Sequence, residues 1–307
     1  MKFLRLIRFQ NLLMLALMQL IFRFGFLELQ PIPLALDRLH YGLLVLATVL
    51  IAAGGYLINN IFDVSTDLDN KPENVVIGRG ISENMAYNLY VVLNIVGVGI
   101  GFYLSNLIGK PGYSAIFIVV AGLLYLYASS LKQSLLIGNI IVAATLSFSV
   151  LIIAIYDLMP VLTDENREIL GIVFQILLDY AIFAFAINLI REVVKDLEDV
   201  NGDYNNGMNT LPIVLGMART TRILFFVSLL PIGLLLYYIN KNYIENKLLL
   251  AAGYMMFFVV GPLVYLSIKL WSAHSQKDYR HLSNVLKLVL LLGILSIAVV
   301  AYNLKNA

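Results

Sequence analysis

The chain of 307 residues has no cysteine, only three histidines and one tryptophan. Without cysteine it can form no disulfide, no thiolate metal site and no cysteine nucleophile. The histidines, His40, His274 and His281, are scattered along the sequence and show no zinc-type spacing. The formal net charge of +2 is close to neutral, so the charge balance gives no support to a nucleic-acid partner.

Charged residues are also scarce. They make up 13% of the chain, against about a quarter in a typical soluble domain. Hydrophobic residues make up 60%, and the mean hydropathy is +0.86. The apolar residues form runs of about twenty, the length that a helix needs to cross a bilayer, and most of these runs lack the polar face of a soluble helix. The composition predicts an all-α, polytopic integral membrane protein.

Nine apolar spans are predicted, at residues 11–29, 42–62, 86–106, 113–129, 135–157, 169–190, 221–239, 248–271 and 285–303. Most connections between them are short, but those at about 63–85 and about 191–220 are long. No change in composition marks off a soluble domain. We therefore expect residues 1–307 to form a single transmembrane domain, a bundle of nine helices around a central cavity.

The distribution of Lys and Arg predicts the orientation of the chain. With the N-terminus inside, all but seven of the 21 basic residues belong to the N-terminal segment and to the side reached after even-numbered spans. The other seven are Arg23, Arg38, Lys110, Arg167, Lys241, Lys247 and Lys305. Because basic residues favour the cytoplasmic side, the N-terminus and both long loops are predicted to face the cytoplasm, in a cell inner membrane.

Each long loop opens with polar residues that share one face of a continued helix. The first set is Asn59, Asp63 and Asp67, and the second is Glu192, Asp196, Asp199 and Asp203. Carboxylates at the edge of a membrane span are costly, and they usually have a partner or a task. The matched spacing and shared side of the two sets predict that they act together.

Two acidic sets that face each other repel unless cations lie between them. Oxygen ligands without His or Cys suit Mg²⁺, which usually completes its shell with phosphate oxygens and water. The candidate metal ligands are Asn59, Asp63, Asp67, Asp196, Asp199 and Asp203. Basic residues on the same side could hold the phosphates of a diphosphate; they are Lys71, Arg79, Lys132 and Lys195. The two groups predict a site for Mg²⁺ and a phosphorylated ligand.

Other interpretations of the acidic residues stay open at this point. Either set alone could be a solvated helix end. An ion-coupled membrane transporter also uses acids, although they are expected near mid-span on discontinuous helices. The chain could also bind a lipid diphosphate without turning it over. An EF-hand does not fit, because Leu68 and Asn74 stand where its loop needs Gly and Glu.

Both motifs resemble those of the UbiA superfamily of intramembrane prenyltransferases. The family's Asn-Asp-x-x-Asp-x-x-x-Asp is similar to the stretch from Asn59 to Asp67, and its Asp-x-x-x-Asp is similar to Asp199 and Asp203. The segments "RFQN", "LKQSLLIGN" and "GMNTLPIVLG" resemble further family motifs, and nine spans match the family's helix count. The sequence departs from the pattern at Asn60, which replaces the family's first Asp and removes one negative charge.

The resemblance implies Mg²⁺-dependent transfer of a prenyl group from a prenyl diphosphate donor to a lipid or aromatic acceptor, among membrane lipids. It implies that Asp63, Asp67, Asp199 and Asp203 are catalytic, and it places Arg8 and Asn11 near the acceptor. The stretch "REVVKDLEDVNGDYNNGMNTLP" resembles most the branch that prenylates geranylgeranylglyceryl phosphate in ether-lipid-type synthesis. The branch that prenylates aromatic quinone precursors is the alternative.

Overall fold

The computed structural model describes residues 2–70 and 72–306, most of which are helical. In this part of the chain nine segments are long and apolar enough to cross a membrane, and their helices are numbered α1 to α9. Their bounds are Phe9–Gly25 (α1), Arg38–Phe62 (α2), Glu83–Leu107 (α3), Ser114–Ser129 (α4), Ile137–Asp157 (α5), Arg167–Asn205 (α6), Met217–Tyr238 (α7), Leu249–Met255 with its continuation to Ser272 (α8) and Gln276–Lys305 (α9).

Shorter elements connect these helices. Three short α-helices are Lys2–Leu6 before α1, Val64–Asn70 after α2 and Leu211–Leu215 after α6. A π-helical turn, Ile239–Ile244, extends α7, and another, Met256–Val260, lies within α8. The described residues contain no β-strand, only one isolated bridge between Ile77 and Ile81. The prediction of an all-α membrane protein with nine spans is confirmed.

Two helices extend beyond their predicted spans on the side of the acidic residues. The apolar span at 169–190 continues as helix to Asn205, because residues 191–205 contain no proline and only one glycine. The last helix begins at Gln276 rather than near 285, because Ser275 and Asp278 form a capping box. The second acidic set therefore lies on a continued helix, as its spacing predicts.

Helix α6 joins the two apolar cores of the bundle. Its first half packs with α1, α2 and α5 in a cluster that contains the fully buried Phe22, Leu44 and Leu177. Its second half packs with α7, α8 and α9 around the fully buried Val194 and Leu286. Because α6 is held on both sides, the position of its acidic end is fixed by the packing of the whole bundle.

A buried ionic network ties the chain together at the opposite end of the bundle. The Arg23 guanidinium contacts the Asp157 carboxylate at 2.8 Å and Glu28 at 3.0 Å, and it donates to the carbonyl of Leu36 at 2.9 Å. The backbone N–H of Leu36 donates to Asp157 at 2.9 Å. Asp157 is fully buried, so the network links α1 and α5 to the segment before α2.

Candidate active site

The two acidic sets line one cavity of about 200 Å³ at one end of the bundle. Asn59, Asp63 and Asp67 enter it from the end of α2 and the short helix that follows. Asp196, Asp199 and Asp203 enter it from the extension of α6. The structure therefore brings the two predicted segments together around one cavity.

The first set stays in register although α2 ends within it. Asp63 lies between α2 and Val64–Asn70, and its N–H still donates to the Asn59 carbonyl at 2.9 Å. The Asp67 N–H donates to the Asp63 carbonyl at 2.8 Å, so the i to i+4 pattern runs through the junction. The Asn59 amide nitrogen donates to the Asp63 carboxylate at 2.6 Å. The other amide atom, Oδ1 of Asn59, is buried and accepts no hydrogen bond from the described residues.

The second set is supported by neighbours on α5 and α6. The Asn139 side chain donates to the Asp196 carboxylate at 2.7 Å. Glu192 accepts from Lys195 Nζ at 3.0 Å and from Arg191 Nη1 at 3.1 Å. Glu192 is therefore neutralised by its neighbours on the same helix, whereas Asp196 is oriented by an uncharged amide.

Asn70 joins the two segments directly. Its side chain donates to the Asp199 carbonyl at 3.0 Å and accepts from the Gly202 N–H at 2.9 Å. A Cβ at position 202 would lie 2.3 Å from the Asn70 amide nitrogen, so only glycine permits this approach. The single glycine in the extension of α6 thus lets the short helix that carries Asp67 dock against it.

Lys132 reaches the cavity from the turn between α4 and α5. Its ammonium group forms an ion pair with the Asp63 carboxylate, and the side chain is only 10% exposed. Gly138 lets α5 begin against this turn, because a Cβ there would lie 2.7 Å from the Lys132 Cα. The Asn209 N–H donates to the Gln133 carbonyl at 3.0 Å and holds the turn to the segment after α6. Burial lowers the pKa of Lys132 to about 8.

Some of the other predicted site residues line this cavity and some do not. Lys195, Arg8 and Asn11 line the same cavity as the carboxylates. Arg79 is exposed, donates to the Pro72 carbonyl at 2.9 Å and does not line the cavity. Lys71, also predicted near the diphosphate, lies outside the described residues.

Arg8 and Asn11 form one wall of the cavity with Tyr56. The backbone of Arg8 is left-handed, with φ of 49°, at the junction between the first short helix and α1. Its guanidinium carbon lies 5.3 Å from the centre of the Tyr56 ring. The Asn11 amide donates to the Tyr56 hydroxyl at 3.2 Å. Asn60 instead donates to the carbonyls of Leu6 and Tyr56, so it anchors the N-terminal segment to α2.

The donor set fits Mg²⁺ that is shared with an anionic ligand. The cavity has six carboxylates, Asp63, Asp67, Glu192, Asp196, Asp199 and Asp203, and four cationic side chains, Arg8, Lys132, Arg191 and Lys195. Among the described residues no three His, Cys, Asp or Glu side chains are close enough to hold an ion by themselves. An ion here would therefore need oxygens from a ligand or water, as Mg²⁺ commonly does. The unpartnered Asn59 oxygen is one further donor for it.

Sequence comparison identifies the family. Residues 30–291 match the UbiA prenyltransferase family, which is well over half of the chain. The chain belongs to this family. Membership identifies the chain as an enzyme that transfers prenyl groups and rules against the ion-coupled transporter.

Curated UbiA relatives carry a more specific name. Digeranylgeranylglyceryl phosphate synthase of Saccharolobus solfataricus is 37% identical over 213 residues, which cover 68% of this chain and 70% of that protein. The protein of the same name from Ignicoccus hospitalis is 30% identical over 255 residues, covering 81% of this chain and 77% of that protein.

Solved structures of UbiA enzymes share the fold. A structure of digeranylgeranylglyceryl phosphate synthase has a TM-score of 0.65 and 24% identity, with 98% of this chain and 97% of that chain covered. A UbiA homologue from Archaeoglobus fulgidus bound to GPP and Mg²⁺ has a TM-score of 0.62 and 16% identity, with 97% and 99% covered. At these identities the likeness concerns the fold alone.

Several residues of this UbiA site could not be identified from the acidic motifs. Asn70, Asn139 and Gly202 each support a carboxylate-bearing segment without belonging to the regular spacing. The signals were present in the sequence as an asparagine at the end of "DLDN", the "GN" of "LKQSLLIGN" and the glycine of "DVNGD". Their partners, however, lie 57 to 132 positions away, and only the fold brings them together.

Proposed function

We propose that this enzyme transfers a geranylgeranyl group from geranylgeranyl diphosphate to geranylgeranylglyceryl phosphate in a Mg²⁺-dependent reaction. The observation that carries the proposal is the single cavity in which the two acidic sets meet with Lys132 and Lys195. The names of the curated relatives favour the glycerol-phosphate lipid as acceptor. An aromatic quinone precursor is the second candidate, and residues 1–307 would act as a single prenyltransferase domain.

The carboxylates would bind the donor through Mg²⁺. Asp63, Asp67, Asp199 and Asp203 would hold the ions, with Asn59 and Asp196 in support. Bound Mg²⁺ would neutralise negative charge on the leaving diphosphate. Lys132 and Lys195 line the same cavity and would donate charge-assisted hydrogen bonds to the phosphate oxygens.

The transfer step forms one ether bond. The bond between C1 of the donor and the diphosphate oxygen breaks, and its electron pair leaves with the diphosphate. The hydroxyl oxygen of the acceptor bonds to C1, and the departing diphosphate takes the hydroxyl proton. Tyr56 and Tyr127 line the cavity, and their rings would stabilise the cation-like carbon.

We infer the orientation and location of the protein from its charge distribution. The cavity lies at the end of the bundle that contains the N-terminal segment and both acidic sets. The excess of Lys and Arg on that side supports a cytoplasmic active site in a cell inner membrane. Both substrates carry isoprenoid chains, so they would reach the site from the bilayer.

The test uses purified protein with geranylgeranyl diphosphate and Mg²⁺. A panel of geranylgeranylglyceryl phosphate and aromatic acids is offered, and products are identified by mass spectrometry. We expect only the phosphate lipid to be prenylated. Asp67→Asn and Asp199→Asn are each expected to lower the rate by roughly 100-fold or more, because ion binding is lost.

Asp164→Asn is the matched control, because Asp164 is exposed in the loop between α5 and α6. It should leave the rate unchanged. Prenylation of an aromatic acid alone would select the second candidate, and full activity of Asp67→Asn and Asp199→Asn would contradict the assigned roles.

A further inference from the structure

A second cavity adjoins the active site on the side of the N-terminal segment. This outer mouth, of about 710 Å³, lies between residues 4–11, the extension of α6 and the start of α9. Its charged residues are six cations, Arg5, Arg8, Arg191, Lys195, Arg280 and Lys287, and three carboxylates, Asp67, Glu198 and Asp199. The balance is opposite to that of the inner cavity, where carboxylates outnumber cations. The inner cavity suits metal ions, whereas the outer mouth suits an anion.

Several of these cations are not neutralised by the protein. Arg280 contacts Glu198 at 3.0 Å, and Lys195 contacts Glu192 at 3.0 Å. Within the described part of the chain, Arg8 and Lys287 have no carboxylate within ion-pair distance. Arg8, Arg191 and Lys287 line this mouth together, and Arg191 is paired with Glu192. A bound anion would offset the charges of Arg8 and Lys287.

Arg191 gives independent support for an anion site. Its side chain is 93% buried with one nitrogen, Nη1, on Glu192. Its Nε is buried and has no hydrogen-bond partner among the described residues. A buried guanidinium N–H without an acceptor is costly, and Arg191 is one of the residues that an anion in the mouth would contact.

The mouth also adjoins an apolar chamber. This chamber, of about 100 Å³, lies between α1, α6 and α9 and is lined by Met14, Met18, Phe183, Leu290 and other apolar side chains. Asn11 and Arg191 line the mouth, the inner cavity and the chamber alike, and Lys287 lines the mouth and the chamber. Polar, metal-binding and apolar environments therefore meet at one junction.

We propose that Arg191 and Lys287, together with Arg8, bind the phosphate of the lipid acceptor in the outer mouth and thereby select a phosphorylated acceptor. The inference rests on the proposed function, because it assigns a place to that acceptor. The phosphate lies in the mouth, the first carbons of the acceptor's isoprenoid chain enter the apolar chamber, and the acceptor hydroxyl points past Asn11 into the inner cavity. The donor diphosphate then stays with the carboxylates and Lys132.

The experiment measures binding and kinetics in nanodiscs of neutral phosphatidylcholine, so that bulk lipid supplies no competing anionic headgroup. Lys287→Met and Arg191→Gln are compared with the wild-type protein. We expect the KM for geranylgeranylglyceryl phosphate to rise roughly 10- to 100-fold in each, as for loss of a hydrogen bond to a charged group. In Lys287→Met the KM for geranylgeranyl diphosphate should stay within about twofold, because Lys287 does not line the inner cavity, and Lys287→Arg should restore most of the affinity for the acceptor.

Lys277→Met is the matched control, because Lys277 is exposed on the same helix and does not line the mouth. Direct titration separates this inference from the proposed function. Wild-type protein should bind geranylgeranylglyceryl phosphate at least about tenfold more tightly than geranylgeranylglycerol, and Lys287→Met should lose that preference, whether or not turnover occurs. Equal binding of the two lipids, or a rise in the KM for the diphosphate instead, would overturn the inference. Absence of product from the wild-type protein would overturn only the proposed function.

Discussion

At the scale of single residues, the ion pair of Lys132 with Asp63 links the two kinds of charge in the site. Lys132 is almost fully buried, so its ammonium group has lost most of its water and depends on nearby negative groups. In the structure Asp63 provides the negative charge. With donor bound, the diphosphate would share this role, and Lys132 would help to hold it against the carboxylates.

Lys132→Met tests this role. We expect kcat/KM for geranylgeranyl diphosphate to fall roughly 10- to 100-fold, because a charge-assisted hydrogen bond is lost. Lys110→Met is the control, since Lys110 is exposed in the loop between α3 and α4. Steady-state kinetics of the two variants and the wild-type protein measure this change in kcat/KM. Equal kcat/KM in Lys132→Met and wild type would show that Lys132 only offsets the charge of Asp63.

At the scale of elements, the extension of α6 and the short helix Val64–Asn70 form the site as a docked pair. Asn70 makes the contact, and Gly202 provides the space for it. Asp67 is carried by the short helix, so its position relative to Asp199 depends on this contact. Asp69 adds to the docking, because its carboxylate accepts from Asn205 and Asn206 at 3.4 and 3.3 Å.

Gly202→Ala should separate the pair. The added methyl group would overlap the Asn70 side chain, which costs about 1–3 kcal/mol in a packed contact. We expect transfer activity to fall about tenfold and proteolysis within residues 63–82 to become faster. Gly171→Ala, on the same helix with open space around it, should change neither property. Unchanged proteolysis and activity in Gly202→Ala would mean that the contact does not position Asp67.

At the scale of the whole molecule, the buried network of Arg23 and Asp157 closes the end of the bundle opposite the active site. Removal of Arg23 would leave the fully buried Asp157 without its cationic partner. Stability of the bundle and chemistry of the site are therefore separable, because different residues at different ends serve them.

Arg23→Met is expected to lower the free energy of unfolding by about 3–5 kcal/mol, as for other broken buried ion pairs. Arg38→Met removes the exposed contact with Glu28 and should cost no more than about 1 kcal/mol. Thermal unfolding of the detergent-solubilised proteins measures both. At temperatures where Arg23→Met stays folded, its KM for the donor should equal that of the wild type. An unchanged unfolding temperature would contradict the structural role of this network.

Hydropathy, charge bias and helical spacing sufficed to predict most of this architecture. The nine spans and the convergence of two acidic sets follow from local patterns. A membrane helix and an i to i+4 face both depend only on residues that are close together in the sequence. The spacing of the acids predicts a continued helix after residue 190, but its end at Asn205 is not predicted, since a hydropathy pattern ends where the apolar residues end. The roles of Asn139, Asn70 and Arg191 could not be predicted. They depend on contacts with residues distant in sequence or on cavities, both of which form only by tertiary packing.

We propose that both acidic sets hold one donor diphosphate. A structure of the protein with geranylgeranyl diphosphate and Mn²⁺ in place of Mg²⁺, located by anomalous scattering, tests it directly. We predict Mn²⁺ peaks and the diphosphate between Asp63 and Asp67 on one side and Asp199 and Asp203 on the other, with Lys132 in contact with a phosphate oxygen. A diphosphate bound to only one of the two sets, or bound elsewhere in the bundle, would contradict the claim.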